Sequence, residues 1–380
     1  MTSEPIPHPA ISDLLAERIA AGDFPSTVYV VAQQGKIVFA DAIGHSVVEP
    51  YRVAASLKTI YDLASLTKPL ITGLLCAQKI ESGELTLDAS IAHYLPEFDR
   101  PDKNQITLRH LLTHASGLPA WRPLYIIAKG EPDRATSAIA SESLEYRPGT
   151  KVVYSDLGFI TLGLLLEKLT GSPIAELAQL KIIKPLRFEN TFFNPAFALK
   201  TGIAASEKGN AYERQTSKTM GQLGYAKWRE QLIWGEVHDG NAHFLGGAAG
   251  HAGLFSNAAE TLRLAQQFLA NSSQLLSAAT CAQFSINMTE SLNEARSIAW
   301  QLAATPESAA GPALPGNSFG HSGFTGTSCW IDPQHERIFV LLTNRTHVRA
   351  LPFANINSVR RQFHTLAVAG LERVSANGEG

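Results

Sequence analysis

With 380 residues, 45% of them hydrophobic and 17% charged, the chain can bury a large core, and its length suits one large domain or two lobes rather than a disordered polymer. Lys plus Arg number 32 against 34 Asp plus Glu; a net charge of -2 gives no electrostatic case for nucleic acid or an anionic membrane as the main partner and fits a small neutral or weakly charged substrate. The three cysteines, Cys76, Cys281 and Cys329, are odd in number and far apart, which argues against a disulfide framework and a zinc site and for a reducing compartment.

The first residues, MTSEPIPHPAISDLLAERIAAG, lack a basic segment followed by an apolar run, and no later stretch approaches ~20 consecutive apolar residues. The expectation is a cytoplasmic protein without a transmembrane helix. Residues from about Ile11 to Ala21 read as an amphipathic helix, and STVYVVAQQ and KIVFADAIG as strands around a Gly35-Lys36 turn. YDLASLTKPLITGLLCAQKIESGEL opens with a short apolar run and becomes a helix, with Ile71, Leu74 and Leu75 at core-facing spacing, Gly83 as its stop and Ser65 at its beginning.

From about Leu85 to Asn287 the pattern is mostly helical, with loops rich in Gly, Pro and Asn. ITLRHLLTHASG, DLGFITLGLLLEKLTG and NAAETLRLAQQFLA are the clearest helices, the third opening with the capping pattern Asn257 to Glu260. NSFGHSGFTGTSCWIDPQHERIFVLLTNR then alternates apolar and polar residues around an Asp-Pro turn, a helix runs from about Phe353 to Ala369, and the tail VSANGEG should fray. This order predicts an α+β fold: one antiparallel sheet built from both chain ends (about 1–84 and 290–380) and flanked by the terminal helices, with a mainly helical lobe (about 85–289) inserted into a single catalytic domain. A cleft between the lobes is the expected ligand site.

Ser65-Leu66-Thr67-Lys68 is a Ser-x-x-Lys at a predicted helix start, so hydroxyl and amine share a face. A helix N-terminus also favours the negative charge that develops when a serine attacks a carbonyl. Lysine is a base only if burial or a cationic neighbour lowers its pKa, and a serine in this place also reads as an ordinary helix cap. Tyr154-Ser155-Asp156 directly precedes a helix beginning near Leu157, where Tyr154 alone would read as a core aromatic; Gly320-His321-Ser322-Gly323 lies on a predicted strand.

In this chain order the three motifs resemble the class C β-lactamase and DD-peptidase superfamily, including serine esterases of β-lactamase-like fold, which carries Ser-x-x-Lys, Tyr-x-Asn and Lys-Thr-Gly or His-x-Gly. ITLRHLLTHASGLP, GGAAGHAGLFS and GHSGFTGTSCWIDP extend the resemblance, which runs from about Val28 to Thr346. It implies Ser65 as acylated nucleophile, Lys68 as free-amine base, Tyr154 as second proton-transfer group, the backbone N–H groups of Ser65 and Phe324 as oxyanion hole, and a cleft that includes Asp156, His321, Ser322 and Gly323, with no cofactor or metal.

Two residues depart from the family pattern. Asp156 stands where the family has Asn: it cannot donate an amide N–H, and if ionised it holds Lys68 charged, against its role as base. His321 replaces the strand lysine and is mostly neutral at pH 7, so carboxylate recognition should weaken and activity should change where imidazole titrates. The expected protein is a serine hydrolase of short-chain acyl esters with weak β-lactam hydrolysis, acting on small-molecule esters, amides or lactams. A β-lactamase or D-amino-acid-specific peptidase, and a non-catalytic binding protein on the same fold, are the alternatives.

His238, Asp239, His243 and His251 lie close in sequence but lack a His-x-x-x-His pair with its glutamate. A cleft-lining loop, with Gly246, Gly247, Gly250 and Gly253 for its turns, is the preferred reading, and His110 and His114 are read as structural. The chain has no Gly-x-Ser-x-Gly elbow and no phosphate-binding glycine loop, which disfavours Ser-His-Asp hydrolases, kinases and dinucleotide enzymes.

Overall fold

β1 (Ser26–Gln33) and β2 (Lys36–Val47) form a hairpin whose two turn residues, Gln34 and Gly35, both take positive φ (51° and 77°), the twist that a two-residue connection requires. The computed structural model, which describes residues 6–222 and 227–378, then extends this hairpin across the whole chain. β1 pairs on its other side with β9 (Arg337–Thr343), placing Val28 opposite Leu342, so strands from the two ends of the sequence lie side by side at the centre of the sheet. With β3 (Val53–Ala54), β6 (Gln301–Leu302), β7 (Phe319–Ser322) and β8 (Ser328–Asp332), the antiparallel order is β3-β2-β1-β9-β8-β7-β6.

Side chains alternate across this sheet and divide its burial between two layers. Tyr29, Val31 and Phe39 pack with Ile11 and Leu15 of the N-terminal helix (Pro9–Ala20) and with Phe363 and Leu371 of the C-terminal helix (Asn357–Gly378). Val28, Val30, Val340 and Leu342 face the other way and share one buried cluster with Leu70, Leu74 and Leu162. β1 is therefore apolar on both faces, which explains its nearly unbroken hydrophobic run.

The middle of the chain holds the expected helices and one feature the pattern did not announce, a second small sheet in which β4 (Tyr61–Asp62) pairs with β5 (Phe255–Ser256). The helix Asp156–Thr170 is capped by the Ser155 hydroxyl accepting from the N–H of Gly158 and ends at Gly171 with φ +72°. Only Leu108–Leu112 of ITLRHLLTHASG is helical, because His114 takes φ +58° and turns the chain. The C-terminal helix starts at Asn357 rather than near Phe353, whose ring packs instead against Phe324, and it continues to Gly378, past the point where the tail was expected to fray. No single helix of the described residues is long and apolar enough to cross a membrane.

Candidate active site

Ser65 lies three positions past the end of β4, in a tight 3-10 turn, Ala64–Leu66, that Ala64 opens with φ +48°. The single helix expected from here is broken into three pieces: this turn, a wider π-type turn over Lys68–Gly73, and the α-helix Leu74–Glu81. Pro69 supplies the reason, since it has no N–H to return to the preceding turn. The turn is held from outside by Asp62, whose carboxylate accepts the N–H groups of Ala64 (2.9 Å) and His238 (2.8 Å) and whose carbonyl accepts from the Thr325 hydroxyl (2.8 Å).

Ser65 Oγ accepts hydrogen bonds from Lys68 Nζ at 3.0 Å and from the Tyr154 hydroxyl at 2.8 Å, so the two motifs that are 89 positions apart in sequence meet on one oxygen. Lys68 is wholly buried, and its ammonium is surrounded by that oxygen, the His251 carbonyl (3.1 Å) and Asp156 Oδ1 (2.7 Å). Burial alone would push the amine down, but the carboxylate of Asp156 and the phenol of Tyr154 more than offset it and hold Lys68 above the ordinary lysine range. The free resting amine expected from sequence is thus corrected to an ammonium. Burial raises the Tyr154 phenol to about 12 against the opposing pull of Lys68, so it is neutral. Behind it, His114 Nδ1 accepts the N–H of Ser155 at 3.0 Å and its ring lies 4.7 Å from that of Tyr154, while His110 Nδ1 accepts the N–H of Thr107.

His321 lies on β7 and donates from Nδ1 to the Ser322 carbonyl at 3.0 Å, with its ring 5.8 Å from Tyr154. Burial, reinforced by the positive charges of Lys68 and Arg296, holds it well below the ordinary histidine value. It is neutral as expected, but its titration leaves the range in which a pH response was expected. Gly323 follows at a close approach: a Cβ there would stand 2.6 Å from the Leu63 carbonyl oxygen, so only glycine lets this loop lie against the segment carrying Ser65.

Ser65, Tyr154, Asp156, Ser322, Gly323 and Phe324 line one cavity of about 540 Å³. His321 stands outside it, in a smaller space of about 210 Å³ shared with Tyr154 and Arg296. The main cavity is also lined by residues that sequence reasoning missed, among them Glu213, Arg345 and Arg360. Burial and the neighbouring Asp239 carboxylate raise Glu213 to about 7. The Arg345 guanidinium lies over the Phe324 ring (5.1 Å) and donates to the Phe324 carbonyl (2.7 Å). Arg360, 4% exposed, donates to Asn357 Oδ1 (2.8 Å) and the Thr327 carbonyl (3.1 Å). Neither has a carboxylate partner among the described residues, and burial together with the charge of Arg345 pushes Arg360 down to about 9. The signal that could have found them is Asn357-x-x-Arg360 at the start of the last helix and an arginine just after the last strand.

His238 and His251 are each paired with a carboxylate, Glu207 and Asp239, at 2.8 Å, and His243 lies 3.8 Å from Glu236. Among the described residues no group of three His, Cys, Asp or Glu side chains is arranged to hold a metal. His238, Asp239 and Ala252 do line the cavity.

The Beta-lactamase family model matches residues 11–359. An N-acetylmuramyl-L-alanine amidase of Bacillus subtilis (strain 168) is 33% identical over 366 residues, covering 88% of this chain and 80% of that protein. An Escherichia coli (strain K12) protein provisionally named D-alanyl-D-alanine carboxypeptidase is 31% identical over 362 residues, covering 88% and 81%. Among solved structures, EstCE1, a hydrolase with promiscuous acyltransferase activity, superposes with a TM-score of 0.71 at 21% identity, covering 94% of this chain and 97% of that one. A class C beta lactamase reaches 0.70 at 16% identity, with the same coverage.

Proposed function

Since the chain belongs to the beta-lactamase family and is a serine hydrolase, we propose that it acts by acyl transfer through Ser65 on amide or ester substrates that carry an anionic group beside the scissile bond. The observation that carries this reading is the pair Arg345 and Arg360, two poorly solvated cations in the cavity that contains Ser65, with no carboxylate partner among the described residues. Burying a charge is costly unless it is paired, and here the missing counter-charge falls to the substrate. The ester preference drawn from the lost strand lysine thereby weakens, because the cation comes from the C-terminal helix and the end of β9 instead of from β7. The names of the amidase and carboxypeptidase relatives, whose implied substrates have amide bonds, point the same way.

In this reading Ser65 attacks the carbonyl, Lys68 and Tyr154 handle the protons, the N–H groups of Ser65 and Phe324 receive the oxyanion, and Ser322 and Gly323 border the bound substrate while His321 supports Tyr154 from behind. The chain works as a single catalytic domain, with residues 6–84 and 290–378 on one side of the cleft and the described residues of 85–289 on the other. Hydrolysis of short-chain neutral esters is the second reading, favoured by the neutral His321.

The test is a panel of p-nitrophenyl acetate, nitrocefin, an N-acylated D-alanyl-D-alanine peptide and N-acetylmuramyl-L-alanine, each with wild type and Ser65→Ala. Turnover of carboxylate-bearing members by the wild type alone supports the proposal. Turnover of the acetate alone, uninhibited by the other three, would sink the anionic-substrate reading and favour the second.

A further inference from the structure

We infer that Asp156 is the proton acceptor that frees Lys68, so that Ser65, Lys68 and Asp156 form a relay in which the carboxylate takes a proton from the lysine as the lysine takes the one on the serine. The inference rests on the acyl-transfer reading above and adds a catalytic role at a position where the Tyr-x-Asn pattern supplies only an amide.

Ser65 Oγ receives two donors, Lys68 Nζ at 3.0 Å and the Tyr154 hydroxyl at 2.8 Å, and so meets no base in the resting state. The ammonium has three hydrogens and three oxygen neighbours, Ser65 Oγ, the His251 carbonyl and Asp156 Oδ1, leaving no lone pair. Of these neighbours only Asp156 Oδ1, the nearest at 2.7 Å, belongs to a carboxylate, and it is a buried oxygen with no other hydrogen-bond partner among the described residues. The other groups facing the pair cannot substitute. Tyr154 is a donor to Ser65; His321 on β7 is turned to the Ser322 carbonyl; His114 is engaged by the N–H of Ser155; Asp239 is paired with His251; Arg296 is a cation bound to Glu294. Moving one proton from Nζ to Oδ1 exchanges an ion pair for a neutral pair; the attraction that holds Lys68 charged opposes the step, relief of two poorly solvated charges recovers part of that cost, and the bond that Oγ forms to the substrate carbon supplies the rest.

The protons balance. The Nζ–H bond breaks and an O–H bond forms on Oδ1; the Oγ–H bond breaks and Nζ–H is restored as Oγ bonds to the substrate carbon and the carbonyl π pair moves to its oxygen. On collapse the bond to the leaving amine or alcohol breaks, the leaving atom takes the Tyr154 proton, Lys68 replenishes Tyr154, and Oδ1 returns its proton to Nζ.

The experiment measures acylation rates with p-nitrophenyl acetate and with a fluorescent penicillin, by stopped flow and by gel labelling, from pH 5.5 to 9.5. Wild type, Asp156→Asn, Asp156→Glu and Ser65→Ala are compared, with thermal melts as the control for folding. The relay predicts a wild-type profile without a ten-fold rise per pH unit between about pH 6 and 9, because the pair holds the same total number of protons throughout, and any step near pH 7 from Glu213, which lines the same cavity, is common to every variant. Asp156→Asn should be at least ten-fold slower at pH 6 and rise about ten-fold per pH unit until Lys68 loses its proton to solvent, while Asp156→Glu keeps the wild-type profile. A profile of unchanged shape in Asp156→Asn, or acylation faster than wild type at neutral pH, overturns the relay and leaves the carboxylate as an opponent of the base. A wild type that is never acylated by either probe overturns the acyl-transfer reading, and the relay with it.

Discussion

Asp62 reaches forward two residues to accept the backbone N–H of Ala64 at 2.9 Å, holding the positive-φ turn that presents Ser65. Its second oxygen accepts the N–H of His238 at 2.8 Å, so one buried carboxylate ties the nucleophile turn to the facing wall of the cavity. Asp62→Ala leaves two buried N–H groups without partners, and should cost about 1–3 kcal/mol for each one that finds no water. Acylation should slow more than ten-fold while Asp62→Asn, which keeps one acceptor, loses less. Thermal melts and probe labelling check this; an unchanged acylation rate in Asp62→Ala removes Asp62 from the positioning of Ser65.

Gly323→Ala should be more damaging to activity than its size suggests. The added carbon would sit 2.6 Å from the Leu63 carbonyl and 3.3 Å from the Ala64 side chain, so the loop carrying Phe324 must move away from Ser65. A loss of roughly 100-fold in acylation, the order seen when one oxyanion donor is removed, is expected with the fold retained. Near-normal acylation would mean that the loop does not supply that donor.

Arg345→Gln should separate substrates by charge. The KM for a carboxylate-bearing substrate should rise by about ten-fold or more, in line with about 1.4 kcal/mol of lost interaction, while turnover of p-nitrophenyl acetate stays within a factor of two or three. Equal effects on both substrates would show that Arg345 acts only by holding the Phe324 carbonyl, to which it donates at 2.7 Å.

Acidification should weaken the fold through buried histidines that take up a proton only on unfolding. His364 lies buried against the sheet, donating to the Ala310 carbonyl, and burial lowers it to about 4 from its ordinary value of 6.5. Because the unfolded chain takes up that proton first, stability is fully present above about pH 6.5 and falls as pH drops toward 4, by up to about 3 kcal/mol for this one group. His114 and His321, also lowered well below 6.5, add to the same slope. Glu213, raised to about 7, acts in the opposite sense over the same window in both proteins, so the test is the difference between them. Between about pH 7.5 and 4.5 the melting temperature of the wild type should fall more, or rise less, than that of His364→Leu, and an identical pH dependence in that variant would remove His364 from this role.

The parts of the site that were legible in the sequence are those fixed by short spacing or strand pattern. Ser65 and Lys68 are three positions apart and meet through one turn of chain, and His321 falls on a strand that the alternation around it marks plainly. Asp156 was legible as a departure, but the charge on Lys68 depends on a distance across the fold, 2.7 Å between residues 88 positions apart, that spacing alone cannot supply. Arg345 and Arg360 were invisible for another reason: arginines after a strand and early in a helix are ordinary solvent-facing residues until the fold withholds their partners. The broken helix after Ser65 could have been suspected from Pro69, whose missing N–H is a property of the residue itself.

The pairing of Val28 with Leu342 bears on how the molecule is made. When β1 leaves the ribosome its neighbour β9 lies more than three hundred positions downstream and is still to be synthesised, which at ~5–20 residues per second takes on the order of tens of seconds. Throughout that interval a valine-rich strand, held on one side by β2, exposes a bare edge that other nascent chains could join. Recovery of active protein should accordingly depend on a chaperone that shields this hairpin until the last strands arrive.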